Sequence, residues 1–460
     1  MERTIEGVSR WIATQRWFGD KGRTITAMAV EHAATLTHET RNTAFVIVRC
    51  TFDSAGDVLY FVPVSWDDGA RDPVTRDALA DPGFLAWLLA GFPEDRVVAG
   101  DGTWRWSRFD GADVALDGLD LRQSRLLEVE QSNSSALFDN RIMLKVFRRL
   151  QAGTNPDLEV TKYLTLDAGF AHVPAIYGMI DGTFGDDSFV LGVLQAFVPN
   201  RGDCWSWFGA SLRDLTDDSL GPAVEAVGLL GQRTAEMHVA LARPTADPAF
   251  VPEIIDAAYA ESTLDRVREE LEETATLLGA SALDSAELTR LIEGLRYRLA
   301  SADALVGTLR TRIHGDYHLG QILRTLDDDY AIIDFEGEPS RTIAQRREKY
   351  SPLRDVAGML RSLGYAAGSS RKECVDADAL ALIDAWETRA RQVFLDRYRA
   401  VIVASGMTLV PTDVATFDAA LHILEIEKSL YEARYELNNR PDWLDIPLSA
   451  LHHLAMDDRM

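Results

Sequence analysis

Two short acidic segments in the second half of the chain contain the residue types that phosphoryl transfer needs. The segment RIHGDYHLGQIL, residues 312–323, contains Asp316 and, five residues later, Gln321. The segment IIDFEGEP, residues 332–339, contains Asp334 at the end of an apolar run. Transfer of a γ-phosphoryl group requires an aspartate that orients the attacking hydroxyl, together with oxygen ligands for Mg²⁺. We therefore predict Asp316 as the catalytic base and Gln321 and Asp334 as the Mg²⁺ ligands.

The residues around Asp316 are interpreted together. A single aspartate is more often a turn or helix-cap residue than a catalytic one. The combination of HGD, a nearby amide and an aspartate after a strand-like run favours catalysis instead. His314, between Ile313 and Gly315, is expected to brace the backbone of this loop. For His318 two interpretations are open: a structural role, or contact with the phosphoryl acceptor.

A lysine within an apolar strand pattern is the candidate for binding the phosphates of a nucleotide. Lys145 lies in RIMLKVF, residues 141–147, where an ammonium group is costly unless a partner neutralises it. A helix is predicted to begin after Asn155, with Pro156 in its first turn. Glu159 on that helix is the predicted counter-ion of the lysine, and the pair would hold the α and β phosphates of ATP.

Two further segments are predicted to contact the nucleotide. EQSNSSALF, residues 130–138, is predicted to form the hairpin turn before the Lys145 strand, although a serine-rich turn by itself is weak evidence. Hydroxyls and backbone N–H groups in this turn would bind phosphate oxygens, the candidates being Ser132, Asn133, Ser134 and Ser135. The backbone of residues 195–198, with Gln195 and Phe197, is predicted as the adenine-binding hinge from its position alone.

The elements that must position these residues differ along the chain. β-branched and aromatic runs with polar breaks predict strands up to about residue 200, beginning with AMAVEHAATL, AFVIVRCTF and VLYFVPVSW. Beyond that point, apolar residues at helical spacing predict long helices. We expect an α+β fold with a β-rich N-terminal cap (1–90), the rest of an N-terminal lobe with the nucleotide-binding sheet (91–200) and a mainly helical C-terminal lobe (201–460).

Composition and charge exclude several classes of function. The 460 residues include 47 Lys and Arg against 72 Asp and Glu, a formal net charge of −25 without a basic block, which disfavours nucleic-acid binding. No stretch approaches the roughly 18 apolar residues of a membrane span and the N-terminus lacks the apolar core of a signal peptide, so we expect a cytoplasmic protein without membrane contact. Cys50, Cys204 and Cys374 are scattered and odd in number, which favours reduced thiols.

These motifs resemble those of the aminoglycoside-phosphotransferase branch of the protein-kinase-like fold, and more narrowly those of the bacterial maltokinases. The resemblance covers nearly the whole chain and is carried by QRWFGDKGR (15–23), SNSSALF, LKVFRRL, PDLEV, RIHGDYHLGQIL, IIDFEGEP, SPLRDVAGMLRS (351–362) and YEARYELNNRPDW (431–443). It implies a bilobal kinase with an additional N-terminal cap, which uses ATP and Mg²⁺ to phosphorylate maltose at its anomeric hydroxyl. It also implies a functional link to α-glucan synthesis through the product, maltose 1-phosphate, and the roles given above for Asp316, Gln321, Asp334, Lys145 and Glu159.

The acceptor site is predicted from YEARYELNNRPDW. On a helix, Tyr431 and Tyr435 share one face, as do Glu432 and Glu436, and Trp443 follows the helix. A sugar site needs flat apolar surface for the ring and carboxylates for its hydroxyls. An amphipathic helix with aromatic core contacts is the alternative interpretation. The predicted substrate-binding residues are His318, Glu432, Tyr435, Glu436 and Trp443.

Other interpretations stay open from the sequence. Kinases that resemble this group act on glucosamine or on aminoglycosides, and the net negative charge tilts slightly toward an amino sugar because maltose is neutral. A nucleotide-binding regulatory pseudokinase is disfavoured because the base and the metal ligands are all present. In QRWFGDKGR, a structural anchor with Trp17 and Phe18 buried is favoured over phosphate binding by Arg16, Lys21 and Arg23. The expected partner is a small sugar, and either a monomer or a homodimer fits.

Overall fold

The computed structural model describes most of the chain, namely residues 7–8, 11–36, 42–53, 56–66, 75–127, 133–339 and 341–456. Two compact units make up the fold. Unit 1 comprises Met1–Asp167 with Pro174–Pro199, and unit 2 comprises Ala168–Val173 with Asn200–Met460. Within the described ranges, no helix is both long and apolar enough to cross a membrane.

Unit 1 contains two antiparallel sheets. Its strands are β1 (Ile25–Leu36), β2 (Asn42–Phe52), β3 (Val58–Trp66), β4 (Arg76–Asp77), β5 (Val97–Ala99), β6 (Thr103–Arg108), β7 (Ser124–Leu126), β8 (Asn133–Phe138), β9 (Ile142–Phe147), β10 (Arg149–Leu150), β11 (Ile176–Phe184) and β12 (Asp187–Ala196). The first sheet has the order β1-β2-β3-β10, with β4 paired to β3, and the second has the order β5-β6-β11-β12-β9-β8-β7. The helices of this unit are α1 (Pro82–Ala90), α2 (Ala112–Leu116) and α3 (Pro156–Lys162).

Alternating side chains of β2 enter two different hydrophobic cores. Phe45 and Ile47 pack in the core that contains the apolar face of α1, whereas Val46 and Val48 pack in the core that contains Trp17 and other aromatic residues. This separation follows from the two-residue period of a strand, which sends successive side chains to opposite faces. The three strands predicted at the N-terminus are confirmed as β1, β2 and β3.

The second sheet holds the strand that carries Lys145. The strand pattern RIMLKVF is confirmed as β9, and β6 and β12 lie in the part of the chain where strands were predicted. The predicted helix is confirmed as α3, because the side chain of Asn155 accepts the backbone N–H groups of Asp157 (2.8 Å) and Leu158 (3.3 Å) and thereby starts the helix. Helix α3 continues as one turn of π-helix over Tyr163–Asp167.

Unit 2 is mainly helical. Its strands are β13 (Asn200–Asp203), β14 (Glu253–Ile254), β15 (Leu309–Arg310), β16 (Ile322–Thr325) and β17 (Tyr330–Ile332). Its helices are α4 (Cys204–Arg213), α5 (Asp217–Leu241), α6 (Ala257–Ser281), α7 (Ser285–Arg298), α8 (Ile343–Arg346), α9 (Leu353–Glu373), α10 (Ala377–Ser405), α11 (Val414–Asn439) and α12 (Asp445–Met456). The long helices predicted beyond about residue 200 are confirmed, α5 and α7 among them.

Candidate active site

The loop that carries the predicted catalytic base runs between β15 and β16 and is fastened to the start of α9. The carboxylate of Asp355, in the first turn of α9, accepts the backbone N–H groups of His314 (2.7 Å) and Gly315 (3.0 Å). Gly315 has a φ of +85°, in the left-handed region that glycine adopts without steric cost. The two bonds therefore fix the backbone immediately before Asp316.

Asp355 is itself held in a fully buried polar cluster. Nε2 of His238 lies 3.1 Å from a carboxylate oxygen of Asp355, and Nδ1 of His238 lies 3.0 Å from the hydroxyl of Tyr398. Burial by itself raises the pKa of Asp355, but hydrogen bonds from His238 and from the backbone outweigh it and hold that pKa below its ordinary value. Sequence reasoning missed Asp355, although it lies in the quoted motif SPLRDVAGMLRS.

His314 braces the loop, as predicted. Its Nε2 lies 2.9 Å from the backbone carbonyl oxygen of Ile333, and its Nδ1 receives the backbone N–H of Asp316 at 3.4 Å. These partners place the ring hydrogen on Nε2, because a carbonyl oxygen can only accept. The histidine thereby ties the loop of Asp316 to the segment that leads into Asp334.

The two predicted Mg²⁺ ligands lie side by side. The side-chain nitrogen of Gln321 is 3.1 Å from a carboxylate oxygen of Asp334, and the backbone N–H of Ile333 donates to the carbonyl oxygen of Gln321 at 3.0 Å. Asp334 has a φ of +68°, a left-handed conformation that costs a non-glycine residue about 1 to 3 kcal/mol and that recurs at functional sites. A carboxylate and an amide oxygen are the hard ligands that Mg²⁺ prefers, so the pair suits the ion by donor type, and the oxygen of the Gln321 amide, rather than the nitrogen that contacts Asp334, would be the ligand.

The predicted catalytic base lies beside a neutral histidine. The side chain of Asp316 is 25% exposed, and its carboxylate oxygen lies 4.0 Å from Nε2 of His318. Nδ1 of His318 accepts the backbone N–H of Gly320 at 3.0 Å, so the ring hydrogen of the neutral form resides on Nε2. Burial lowers the pKa of His318, which keeps the imidazole neutral at neutral pH. Its Nε2–H group is thus available to a hydroxyl placed near Asp316.

One face of α9 supports both this loop and a neighbouring cavity. Asp355, Gly358, Ser362 and Tyr365 follow at three- and four-residue spacing and so lie on one side of the helix. The backbone N–H of Leu319 donates to the hydroxyl of Ser362 at 3.1 Å. A Cβ atom at Gly358 would lie 2.7 Å from the carbonyl oxygen of Tyr317, so only glycine lets α9 come this close to the loop.

The cavity has a volume of about 530 Å³ and lies between α9, α11, the start of α4 and the loop. Its lining includes every residue predicted to bind the substrate, which are His318, Glu432, Tyr435, Glu436 and Trp443. Helix α11 and the short helical turn Pro441–Trp443 confirm the predicted helix with a tryptophan after it. The structure therefore brings the acceptor candidates together, next to the loop of Asp316.

Both glutamates of the cavity are paired with arginines that sequence reasoning did not assign. The carboxylate of Glu432 accepts Nε of Arg361 at 2.9 Å. The carboxylate of Glu436 accepts two N–H groups of Arg440, at 2.6 and 2.9 Å, and the hydroxyl of Tyr365 at 3.0 Å. Glu436 lies in the last turn of α11 and Arg440 follows the helix four residues later, so their spacing could have indicated this pair. The partner of Glu432, Arg361, lies on another helix and could not be found in this way.

Two pairs of aromatic rings are part of the cavity lining. The rings of Tyr365 and Trp443 stack with their centroids 6.3 Å apart, and those of Tyr431 and Tyr435 stack at 6.4 Å. Burial raises the pKa of Tyr431 to about 12, so its hydroxyl stays protonated at neutral pH. Flat faces of this kind are the surfaces on which sugar rings pack.

In unit 1, the lysine predicted to bind phosphate is buried and has an acidic partner on α3. Nζ of Lys145 lies 3.0 Å from a carboxylate oxygen of Asp157, and both side chains are almost fully buried. The expected partner was Glu159, which is half-buried on the same helix. The sequence did not predict the contact with Asp157, because helical spacing alone does not show which acidic side chains of a helix reach a neighbouring strand. The role of Glu159 in nucleotide binding stays a prediction.

The predicted serine-rich turn is wrong for the residues that the structure describes. Asn133, Ser134 and Ser135 belong to strand β8, with buried side chains, and Ser135 lies directly opposite Lys145 on β9. The hydroxyl of Ser134 accepts Nε of Arg148 at 2.8 Å. Pairing with β9 overrides the low strand propensity of asparagine and serine. Ser132 lies outside the described residues.

The predicted hinge lies at the end of β12. Gln195 is buried in the strand, and the backbone N–H of Phe197 donates to the carbonyl oxygen of Arg141 at 2.8 Å. The backbone N–H of Ala196 likewise donates to the carbonyl oxygen of Ala175 at 2.8 Å. An adenine contact from Phe197 would therefore use its carbonyl oxygen, and the hinge role stays a prediction.

The N-terminal motif QRWFGDKGR is a structural anchor, as predicted. Trp17 and Phe18 are buried, and Phe18 stacks on Tyr60 with ring centroids 5.0 Å apart. Arg23 forms an ion pair with Asp20 at 3.0 Å. The hydroxyl of Tyr60 also donates to Asp20, so the aspartate joins the aromatic core to the surface arginine.

Comparison with known proteins identifies relatives along most of the chain. A family model described as the maltokinase N-terminal cap domain matches residues 11–86. A glucosamine kinase of Streptacidiphilus jiangxiensis is 30% identical over 328 residues, covering 69% of this chain and 70% of that protein. A glucosamine kinase of Mycolicibacterium smegmatis is 32% identical over 341 residues, covering 72% of this chain and 79% of that protein.

A solved structure has the same fold. It is described as a glucosamine kinase in complex with glucosamine, ADP and inorganic phosphate, and it matches with a TM-score of 0.71 and 26% identity over 94% of each chain. The predicted α+β fold of protein-kinase type with a β-rich N-terminal cap is thereby confirmed. The chain belongs to the family of these glucosamine kinases, has an N-terminal cap of the maltokinase type, and is a sugar kinase that uses ATP with Mg²⁺.

Proposed function

We propose that this sugar kinase transfers the γ-phosphoryl group of ATP to the anomeric hydroxyl of maltose, giving maltose 1-phosphate and ADP. The observation that carries the choice of acceptor is that both glutamates of the cavity are paired with arginines. Glu432 is neutralised by Arg361 and Glu436 by Arg440. Such pairs offer hydrogen-bond donors and acceptors to sugar hydroxyls. Because each glutamate is neutralised, the pairs leave no negative charge that would require an ammonium group on the sugar.

The aromatic surfaces support a disaccharide. Tyr365 with Trp443 and Tyr431 with Tyr435 form two stacked pairs, each of which offers a flat face to a pyranose ring. The volume of about 530 Å³ is in the range typical of small-molecule sites. Two such surfaces in one cavity suit the two rings of maltose better than a single ring.

The chemistry follows from the residues of the loop. Asp316 accepts the proton of the anomeric hydroxyl while that oxygen forms a bond to the γ-phosphorus, and the bond from phosphorus to the β–γ bridging oxygen breaks. The Nε2–H group of His318 donates to the acceptor and orients it. Asp334 and Gln321 would hold Mg²⁺, which would neutralise negative charge on the phosphate oxygens. In unit 1, the buried Lys145 and Asp157 provide a fixed ammonium group for the α and β phosphates.

Glucosamine is the second candidate acceptor, and two observations favour it. The relatives described above are glucosamine kinases. The cavity also contains the carboxylate of Asp203, which accepts the N–H and the hydroxyl of Ser206 at 2.8 and 3.0 Å and could receive an ammonium group as well. A regulatory pseudokinase is a weaker candidate, because Asp316, Gln321 and Asp334 are all retained.

The test is ADP release with ATP, Mg²⁺ and a single sugar in each reaction. Maltose, glucosamine and a panel of aminoglycosides are compared by kcat/KM at equal enzyme concentration. The proposal predicts the highest kcat/KM for maltose, with phosphate at its anomeric carbon. A higher value for glucosamine moves the assignment to the second candidate, and no turnover with any sugar contradicts a kinase acting on sugars.

A further inference from the structure

In the part of the chain that the structure describes, Lys428 is a cation of the acceptor cavity that, unlike Arg440, is not paired with a glutamate. It lies on α11 four residues before Glu432, which lies four residues before Glu436, so the three share one face of the helix. Its side chain is half-buried, and Nζ lies 4.8 Å from the centre of the Tyr431 ring. Among the described residues, no carboxylate forms an ion pair with it.

The acids around Lys428 are engaged elsewhere. Glu432, its neighbour one turn on, accepts Nε of Arg361 at 2.9 Å. Glu436 is held by Arg440. Asp203 caps α4 through Ser206. Asp203 keeps its own negative charge in the lining, but no carboxylate of the described residues lies within ion-pair distance of the Lys428 ammonium group, so a direct partner does not neutralise that charge.

The positive charge of Lys428 acts on His318, the cavity residue that lies beside Asp316. Burial is the main cause of the lowered pKa of His318, and the positive charge of Lys428 acts in the same direction, against the attraction of Asp316. A half-buried site screens such interactions less than bulk water does. A second cation that enters the cavity would meet this charge directly.

We propose that Lys428 selects the acceptor by charge, admitting neutral sugars and repelling sugars that carry an ammonium group. The inference rests on the proposed function, because it takes the cavity as the acceptor site. It goes further because it assigns the discrimination between neutral sugars and amino sugars to one residue. The repulsive element, rather than a new attractive contact, would separate this chain from kinases that accept amino sugars.

Glucose and glucosamine form the matched pair of ligands for the test, because they differ only in a hydroxyl against an ammonium group at one carbon. Their dissociation constants are measured by ligand-observed NMR with the wild-type protein and with Lys428→Met, Lys428→Glu and Lys428→Arg. Lys162→Met serves as the control, because it removes a positive charge from an exposed site on α3. Circular dichroism and thermal unfolding verify that each variant is folded.

The inference predicts that the wild-type protein binds glucose more tightly than glucosamine. Lys428→Met should shift the ratio of the two constants toward glucosamine by about tenfold, and Lys428→Glu by more. Lys428→Arg and Lys162→Met should keep the wild-type ratio. An unchanged ratio in both Lys428→Met and Lys428→Glu, or equal binding of both sugars by the wild type, would overturn it. Because binding is measured without maltose turnover, this failure is distinct from a failure of the proposed function.

Discussion

The carboxylate of Asp355 lies 2.7 Å from the backbone nitrogen of His314, forty-one residues earlier in the chain. A buried acid at the start of α9 thus holds the backbone of the loop that presents Asp316. Because the same carboxylate also bonds His238, the position of the predicted base depends on a polar cluster that lies outside the cavity.

Replacing this acid should uncouple the loop from α9. Asp355→Asn removes the charge that accepts the N–H groups of His314 and Gly315 and leaves His238 without its anionic partner. We expect a loss of about 3 to 5 kcal/mol in the free energy of unfolding and at least about a hundredfold lower kcat. Urea unfolding and ADP release measure the two effects. Asp378→Asn, at an exposed position on α10, is the matched control, and equal stability of the two variants would contradict the role of Asp355.

Acid should weaken the same cluster. The pKa of Asp355 is held below its ordinary value in the folded state, so its contribution to stability is present above the unfolded pKa and is lost as the pH falls through the folded pKa. The free energy of unfolding should therefore decline below about pH 4. The Asp355→Asn variant should show a flatter decline in urea titrations over the same range. Parallel pH profiles of variant and wild type would argue against this linkage.

Removing the base should affect chemistry and leave nucleotide binding intact. Asp316→Asn keeps the size of the side chain but cannot accept the proton of the hydroxyl, so kcat should fall by about a hundredfold to ten-thousandfold. Calorimetric titration with a non-hydrolysable ATP analogue should give the wild-type dissociation constant. Asp334→Asn is the informative comparison, because loss of a Mg²⁺ ligand should weaken both nucleotide affinity and the response to Mg²⁺. Near-normal turnover by Asp316→Asn would refute its role.

The two acidic residues of α3 can be separated by substitution. Asp157→Asn removes the partner that lies 3.0 Å from Lys145, whereas Glu159→Gln changes a half-buried side chain two residues away. We expect Asp157→Asn and Lys145→Met each to raise the KM for ATP by about tenfold or more, and Glu159→Gln to have the smaller effect. A larger effect of Glu159→Gln would instead identify Glu159, as predicted from the sequence, as the more important counter-ion of Lys145.

The aromatic wall of the cavity should act on sugar binding alone. Trp443→Ala removes the ring that stacks on Tyr365, so the KM for the sugar should rise by about tenfold while the KM for ATP stays unchanged. Steady-state kinetics with each substrate varied in turn separates the two constants. Val375→Ala, at a fully exposed position, is the control. An equal rise in both KM values would mean that Trp443 supports the fold rather than the acceptor.

Local patterns were sufficient to predict several parts of the fold. Strands β1, β2 and β3 follow from their β-branched runs, and the start of α3 follows from Asn155 and Pro156. In both cases residues close together in the sequence are enough to predict the structure. The four-residue spacing of Glu432 and Glu436 likewise predicted that they share one helix face, and both line the same cavity.

The remaining features depend on contacts between distant segments. Arg361 reaches Glu432 from another helix, and Asp355 reaches the loop from α9, so neither partner is visible in a local pattern. The contact of Asp157 with Lys145 depends on how α3 is rotated against β9. The strand of Asn133, Ser134 and Ser135 was mistaken for a turn because pairing with β9, rather than residue propensity, determines it.

The central claim is that the chain phosphorylates maltose with ATP, and one reaction tests it most directly. Purified protein is incubated with ATP, Mg²⁺ and maltose, ADP is measured, and the product is examined by phosphorus NMR. The account predicts ADP release that depends on maltose, a product phosphorylated at the anomeric carbon, and a kcat/KM for maltose at least about tenfold above that for glucosamine. Maltose-independent ADP release, or faster turnover of glucosamine under the same conditions, would contradict it.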